Sequence, residues 1–186
     1  MSMIETLKKK VIIAENNNYL VRNLSESDRE DYIVVFHDCS TLPENELMED
    51  MIWNNLIDET HVTRALERKV DSSFVGTFLV KNADPDSIEI GMDLKKEFQQ
   101  QGIATEIVPL MVETLKTLFP EKKIIARVYS ENDVSQNVVR KLGGMKIRED
   151  LSEYDLIITK MKEKWNELPE PEVPLGLNHI DVYEFW

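Results

Sequence analysis

The chain has one cysteine, Cys39, in 186 residues, so no disulfide can form within it. It is poor in basic charge, with 22 Lys and Arg against 35 Asp and Glu and a formal net charge of −13. A surface that neutralises phosphates needs the opposite balance, so no nucleic-acid partner is expected. No apolar run approaches the ~20 residues that span a bilayer. The opening stretch MSMIETLKKK lacks the apolar centre of a signal peptide. The expectation is therefore a cytoplasmic protein without a membrane contact. The histidines show no ligand spacing, so no metal site is expected. His37, Asp38 and Cys39 adjoin in HDCS, but neighbours on one element point apart and make no nucleophile–base pair. Cys39 reads as buried filler. Two common phosphate loops, G-x-x-x-x-G-K-[ST] and G-x-G-x-x-G, are also missing.

What is present suits one domain: 42% of residues are apolar, enough for a real core at this length. Residues 11–15 (VIIAE) and 19–23 (YLVRN) are strand-like runs around an Asn-rich turn. Ser25-x-x-Asp28 reads as a capping box before a helix, and Pro43 as the start of a second one. Residues 62–69 and 73–81 predict strands joined at Val70-Asp71-Ser72, with turn chemistry at 82–86. A strand over 87–94, a helix over 102–119 and a strand over 123–129 follow. They predict a right-handed crossover between parallel strands. Pro109 implies a kink or a late start in that helix. Ser130-x-x-Asp133 caps a further helix to Leu142, which Gly143 and Gly144 stop. Residues 145–149 and 154–161 predict a closing hairpin with a short link.

The fold class expected is α+β: a mixed, mostly antiparallel twisted sheet of about seven strands with a central parallel pair, flanked by about four helices. The domain spans 1–164. Residues 165–186 form an acidic, Pro-containing tail whose aromatic end is unlike a linker. Residues 180–186 are expected to pair with an edge strand of this chain or of a second subunit, which would make a homodimer.

The informative stretch is QQQGIATE, residues 99–106, between the 87–94 strand and a helix. The first N–H groups of a helix have no internal partner, and its dipole is positive there. That is an anion site, commonly for phosphate. Gly102 permits close backbone approach, Ala104 is the next smallest choice, and Thr105 offers a hydroxyl.

Gln99-x-x-Gly102-x-Ala104 resembles the [Gln/Arg]-x-x-Gly-x-[Gly/Ala] signature of the GNAT acetyltransferase superfamily. ENDVSQNVVRKLGG is similar to the same superfamily's Asn-x-x-[Ala/Ser]…Lys-Leu-Gly-Phe helix, matching at Asn132, Ser135, Lys141, Leu142 and Gly143. YDLIITKMKEKW and YLVRNLSESDRED resemble segments of the branch that acetylates N-terminal amines of ribosomal proteins. The resemblance covers roughly residues 10–165. It implies acetyl-CoA as co-substrate and a primary amine as acceptor, on a small molecule or a protein N-terminus. It implies that Met92, Asp93 and Leu94 hold the acetyl and pantetheine end. Gln99, Gln100, Gln101, Gly102, Ile103, Ala104 and Thr105 hold the pyrophosphate, and Asn132 and Ser135 line the thiol arm.

Two departures stand out. Val139 occupies the place of the tyrosine that protonates the leaving thiolate in many members. Gly144 stands where phenylalanine is usual, removing a core anchor and loosening the last hairpin. Thiolate leaves without a strong acid, since a free thiol has a pKa near ~8.5. Ser135 is the nearest hydroxyl for that role, and Glu89 is the candidate base, with Asp93 on the same strand face as a solvated residue. The alternatives are a weakly catalytic or purely acyl-CoA-binding module that keeps the fold, and a partner-binding protein that uses the tail.

Overall fold

In the computed structural model, which describes residues 2–39, 46–56, 61–151 and 179–186, a helix precedes the expected hairpin. This helix, α1 (Met3–Lys8), is additional to those the sequence suggested. It is held by a full capping box: the Ser2 hydroxyl accepts the Glu5 N–H, and the Glu5 carboxylate accepts the Ser2 N–H. The chain forms two compact units, Met1–Ile124 and Ile125–Trp186.

In the first unit, β1 (Ile12–Glu15), β2 (Tyr19–Asn23), β3 (His61–Arg68), β4 (Ser73–Asp84) and β5 (Ser87–Leu94) are joined in that order, each antiparallel to the next. β4 runs further than expected: Asn82 and Asp84 pair with Ile88 and Ser87, which leaves Pro85 and Asp86 as the turn. β6 (Lys123–Tyr129) begins beside β5, where the Lys123 N–H donates to the Asp86 carbonyl at 2.9 Å. Two strands that start together run the same way, and this is the expected parallel pair.

The two faces of this sheet bury different things. Leu66, Phe78, Val80, Ile88 and Ile90 lie on one face and are all 5% exposed or less. Arg64 shares their face at 1% exposure, donating to the carbonyls of Leu7 (2.5 Å) and Lys10 (3.2 Å) and so closing the C-terminal end of α1. The other face packs Ala65 and Phe74 against Val35 and Tyr32 of α2 (Arg29–Cys39). The Ser25–Asp28 capping box forms as expected, and Arg22 clamps Asp28 with two hydrogen bonds of 2.7 and 2.9 Å. Pro43 falls outside the described residues, where α3 (Glu46–Asn54) is the next element. α4 (Ile103–Leu118) is continuous through Pro109, which sits on the exposed side, so the helix neither starts late nor stops there. Its buried stripe is Ile103, Ile107, Val108, Met111, Val112 and Leu115, the spacing of one helical face.

In the second unit, α5 (Asp133–Lys141) follows β6 and leads to β7 (Gly144–Leu151). The partner of β7 is β8 (His179–Phe185), in register from Gly144↔Phe185 to Leu151↔His179. Among the described residues the antiparallel partner of β7 is thus β8; the strand expected over 154–161, with its short link, lies outside the described residues. The aromatic tail does pair with a strand of its own chain, as an inner strand between β6 and β7 instead of at an edge. Eight strands and five α-helices are present among the described residues.

Gly144 also works differently from expectation. A Cβ there would stand 2.5 Å from Val139 Cγ1, 3.0 Å from the Val139 carbonyl and 3.4 Å from the Phe185 ring. No larger side chain fits, because α5 approaches β7 at van der Waals distance. The aromatic anchor is supplied from the opposite strand by Phe185, 5% exposed, so this end of the hairpin is packed and not loose.

Candidate active site

The link from β5 to α4 shapes itself. Past Leu94, the Lys95 N–H donates to the Val75 carbonyl at 3.0 Å, which adds one more bond to the β4 edge. Gly76 makes this possible: a Cβ there would stand 2.1 Å from the Asp93 carbonyl oxygen. A 3-10 turn, Lys96–Phe98, follows, with the Lys96 N–H held by the Asp38 carboxylate at 2.8 Å. The side chains of Gln99 and Gln101 bond inward, to the carbonyls of Leu94 (3.0 Å) and Glu97 (2.6 Å). These two glutamines set the loop's shape with their amides.

Gln100 and Gly102 take left-handed conformations, φ +60° and +82°. Nothing lies within 4 Å of where a Gly102 Cβ would be. Gly102 is the N-cap of α4, and its carbonyl accepts the Thr105 N–H at 2.9 Å. Ile103 is buried and anchors the helix start, while Ala104 is half-buried and Thr105 exposed. Glu106 is tied to the β1–β2 turn by Asn16 (3.2 Å) and Asn18 (2.8 Å). An open backbone surface at the positive end of a helix is a donor set that fits a phosphate.

On β5, alternation puts Glu89, Gly91 and Asp93 on the α2 face and Ile88, Ile90 and Met92 on the other. One carboxylate oxygen of Glu89 is buried, opposite Lys81 on β4. Asp93 is open to solvent yet closely surrounded by protein, and that partial desolvation raises it above the usual carboxylate range, which the Cys39 thiol opposes by hydrogen bonding. Cys39 is exposed, not buried filler; crowding and then the charge of Asp93 push its thiol up to about 11. Its sulfur also reaches the Leu94 carbonyl at 3.7 Å. Tyr32 is raised to about 12 by burial and by the same Asp93 charge. His37, Asp38 and Cys39 do point apart, to Glu49, to Lys96 and to β5.

In the second unit, α5 starts at Asn132, whose side chain accepts the Ser135 N–H at 2.9 Å. Asn132, not Ser130, is the cap; the Ser130 hydroxyl donates to Asp181 at 2.9 Å instead. The Ser135 residue is half-buried in the first turn. Gln136, one position on, is buried and central. It donates to the Ser130 carbonyl at 2.7 Å and accepts from Tyr183 at 3.1 Å and Arg140 at 2.5 Å. Neither Gln136 nor Tyr183 was marked by the sequence motif, since their partnership joins α5 to a strand far along the chain.

Among the described residues, no group of three or more His, Cys, Asp or Glu is gathered as a metal site would need, and no helix is long and apolar enough to cross a membrane.

A strand, a turn with left-handed Gln100 and Gly102, and a helix leave open backbone at the head of α4. The family Acetyltransferase (GNAT) domain matches residues 18–145. The chain belongs to the GNAT acetyltransferases, enzymes whose acyl donor is acetyl-CoA. Its fold is similar to a variant of the spermidine N-acetyltransferase SpeG from Vibrio cholerae, at TM-score 0.65 and 13% identity over 91% of this chain and 94% of that one. It is similar to ribosomal-protein-S5-alanine acetyltransferase from Vibrio fischeri, at TM-score 0.62 and 16% identity over 94% and 96%. It is also similar to a GNAT-family acetyltransferase from Bacillus anthracis, at TM-score 0.65 and 16% identity over 92% and 95%. No curated protein matches the chain.

Proposed function

We propose that this enzyme transfers the acetyl group of acetyl-CoA directly to a primary amine, an α-amine of a peptide or protein or a small amine. The observation that carries the coenzyme part is the loop after β5, with left-handed Gln100 and Gly102 and open space at Gly102 before the α4 N-terminus. In this reading Met92 and Leu94 hold the acyl end through their backbone, with Asp93 between them. Residues 99–105 hold the pyrophosphate through N–H groups, and Asn132 and Ser135 serve the thiol arm.

The acceptor assignment rests on proton arithmetic. An α-amine with a pKa near ~7.8 is partly neutral at physiological pH. A lysine side chain near ~10.4 needs about 4 kcal/mol to become neutral at pH 7.4, at ~1.36 kcal/mol per pH unit. With Val139 in place of a tyrosine acid, an easy nucleophile suits this site. The two similar structures named for an acceptor, spermidine in one and an alanine of ribosomal protein S5 in the other, are compatible with an amine acceptor.

A second reading, a module that binds acyl-CoA and turns over poorly, is favoured by Val139 alone, because Phe185 makes good the loss at Gly144. Thiol release from acetyl-CoA separates the two. The panel is a peptide with a free N-terminus, a blocked peptide carrying lysine, and a polyamine. Faster turnover of the free N-terminus is the expected result. Preference for the blocked lysine peptide overturns the acceptor, and binding without release for any amine overturns the enzyme.

A further inference from the structure

The buried residue of α5 is an amide, Gln136, at 4% exposed. A leucine or methionine would fill that place without the cost of taking a polar group out of water. The amide is explained by its bonds, which use its whole capacity of two donors and two accepting lone pairs. Its NH2 group donates to the Ser130 carbonyl at 2.7 Å and, at a longer 3.4 Å, to the Tyr129 carbonyl. Its oxygen accepts from Arg140, one turn along α5, and from the Tyr183 hydroxyl of β8. Arg140 also lies over the Tyr183 ring, 5.7 Å from its centre. Two carbonyls on one side and two donors on the other leave one orientation for the amide. The turn it grips is the one that leads into α5. The Tyr129 carbonyl that receives Gln136 also accepts the Asn132 N–H at 2.9 Å, and the Asn132 side chain in turn accepts the Ser135 N–H. Ser130 is tied to β8 by its N–H, to the His179 carbonyl at 2.8 Å, and by its hydroxyl, to Asp181. Both anchors of the turn therefore come from β8, while Asn132 is exposed and Ser135 half-buried.

We infer that Gln136 is a positioning residue for the thiol arm of the coenzyme, and that Tyr183 sets Gln136. The inference rests on the proposed roles of Asn132 and Ser135. Gln136 acts through the carbonyls of Tyr129 and Ser130, whose places fix where the head of α5 stands. A satisfied, buried hydrogen-bond network of this kind holds one geometry. An ångström of misplacement in a group that holds a reactant costs up to about a hundredfold in rate. The end of the chain thus reaches the coenzyme through one hydroxyl, one amide and two carbonyls.

The test uses the full chain and two probes in calorimetry. One is acetyl-CoA. The other is adenosine 3′-phosphate 5′-diphosphate, which keeps the pyrophosphate and lacks the thiol arm. Gln136→Glu preserves the shape and can still accept from Arg140 and Tyr183, but as a carboxylate it cannot donate to the two carbonyls. It should weaken acetyl-CoA about tenfold and the arm-less nucleotide less than about twofold. Tyr183→Phe, the milder change, should weaken acetyl-CoA about threefold with the nucleotide unmoved. Asn132→Ala and Ser135→Ala should show the same arm-specific loss, because they remove the proposed contacts themselves.

A variant that is merely less stable loses both ligands in proportion to its folded fraction, so the ratio of the two affinities is the readout that separates positioning from folding. A folded Gln136→Glu that keeps the parent's ratio overturns the inference, and so does one that loses both ligands equally. If Gln136→Glu does not fold, Tyr183→Phe decides by the same ratio. A parent that binds acetyl-CoA no more tightly than the arm-less nucleotide takes down the proposed holding of the thiol arm first and this inference with it. So does an unchanged ratio in both Asn132→Ala and Ser135→Ala, and only these two outcomes reach both.

Discussion

In Met1–Ile124 the turn between β5 and α4 is shaped by its own glutamines and by two left-handed residues. In Ile125–Trp186 the motif residues Asn132 and Ser135 are engaged in capping α5, and the packing there depends on a strand from the end of the chain. The first arrangement offers backbone atoms, so it tolerates many side chains but not a change at Gly76 or Gly102. The second spends the Asn132 side chain on the helix cap, and its sequence can drift from the family pattern wherever β8 compensates. A motif match therefore means more at Gly102 than at Asn132. A mismatch such as Gly144 means little once its neighbour across the strand pair is known.

The sharpest way to break this comparison is to delete residues 179–186. β8 is an inner strand whose Val182 and Tyr183 are fully buried, so its loss should leave no cooperative unfolding transition for the second unit in calorimetry. A deletion that melts like the parent would return the aromatic end to the status of a loose tail. Phe185→Ala should come next, costing about 3–5 kcal/mol in urea unfolding, the usual range for a buried phenylalanine. Gly144→Phe should not rescue it, because Val139 occupies the space.

A smaller loss is expected in the first unit from Asp28→Asn. Burial raises the Asp28 pKa, but the hydrogen bonds from Arg22 and Ser25 outweigh it and hold the group below the ordinary aspartate range. A depressed pKa gives stability that is present above the unfolded value of ~3.9 and is lost as pH falls through the folded one. Urea midpoints should therefore drop below pH ~4 more steeply in the parent than in the variant, and the variant should be about 2–3 kcal/mol weaker at neutral pH. Tyr183→Phe removes only the 3.1 Å bond to Gln136 and should cost about 1 kcal/mol, leaving Phe185 packed.

Strands and caps set by local pattern were legible in the sequence. The bounds of β5 and β6 follow from apolar runs between turn residues, and the Ser25–Asp28 box and Gly102 follow from chemistry at fixed offsets. The pairing of HIDVYEF with β7 was not legible, because YDLIITKM reads as equally strand-like in the sequence and lies nearer along the chain. The α5 cap was ambiguous for a simpler reason: Ser130 and Asn132 are both good capping residues two positions apart. Ser2-x-x-Glu5 was present but short, and α1 gains its hold from Arg64, some 57 positions away from Leu7. Asp93 looked like a solvated strand residue because the crowding by α2 is tertiary.

The central claim is that the backbone around Gly102 holds acetyl-CoA, and calorimetric titration of the parent and Gly102→Val tests it most directly. At φ +82° a β-branched side chain is strained, and it fills the open surface that a phosphate needs. The parent should bind one equivalent of acetyl-CoA with a dissociation constant below about 100 μM. The variant, shown folded by its unfolding transition, should bind at least about tenfold more weakly, a loss of about 1.4 kcal/mol or more. A folded variant that binds like the parent, or a parent that gives no binding heat at millimolar acetyl-CoA, would contradict the account.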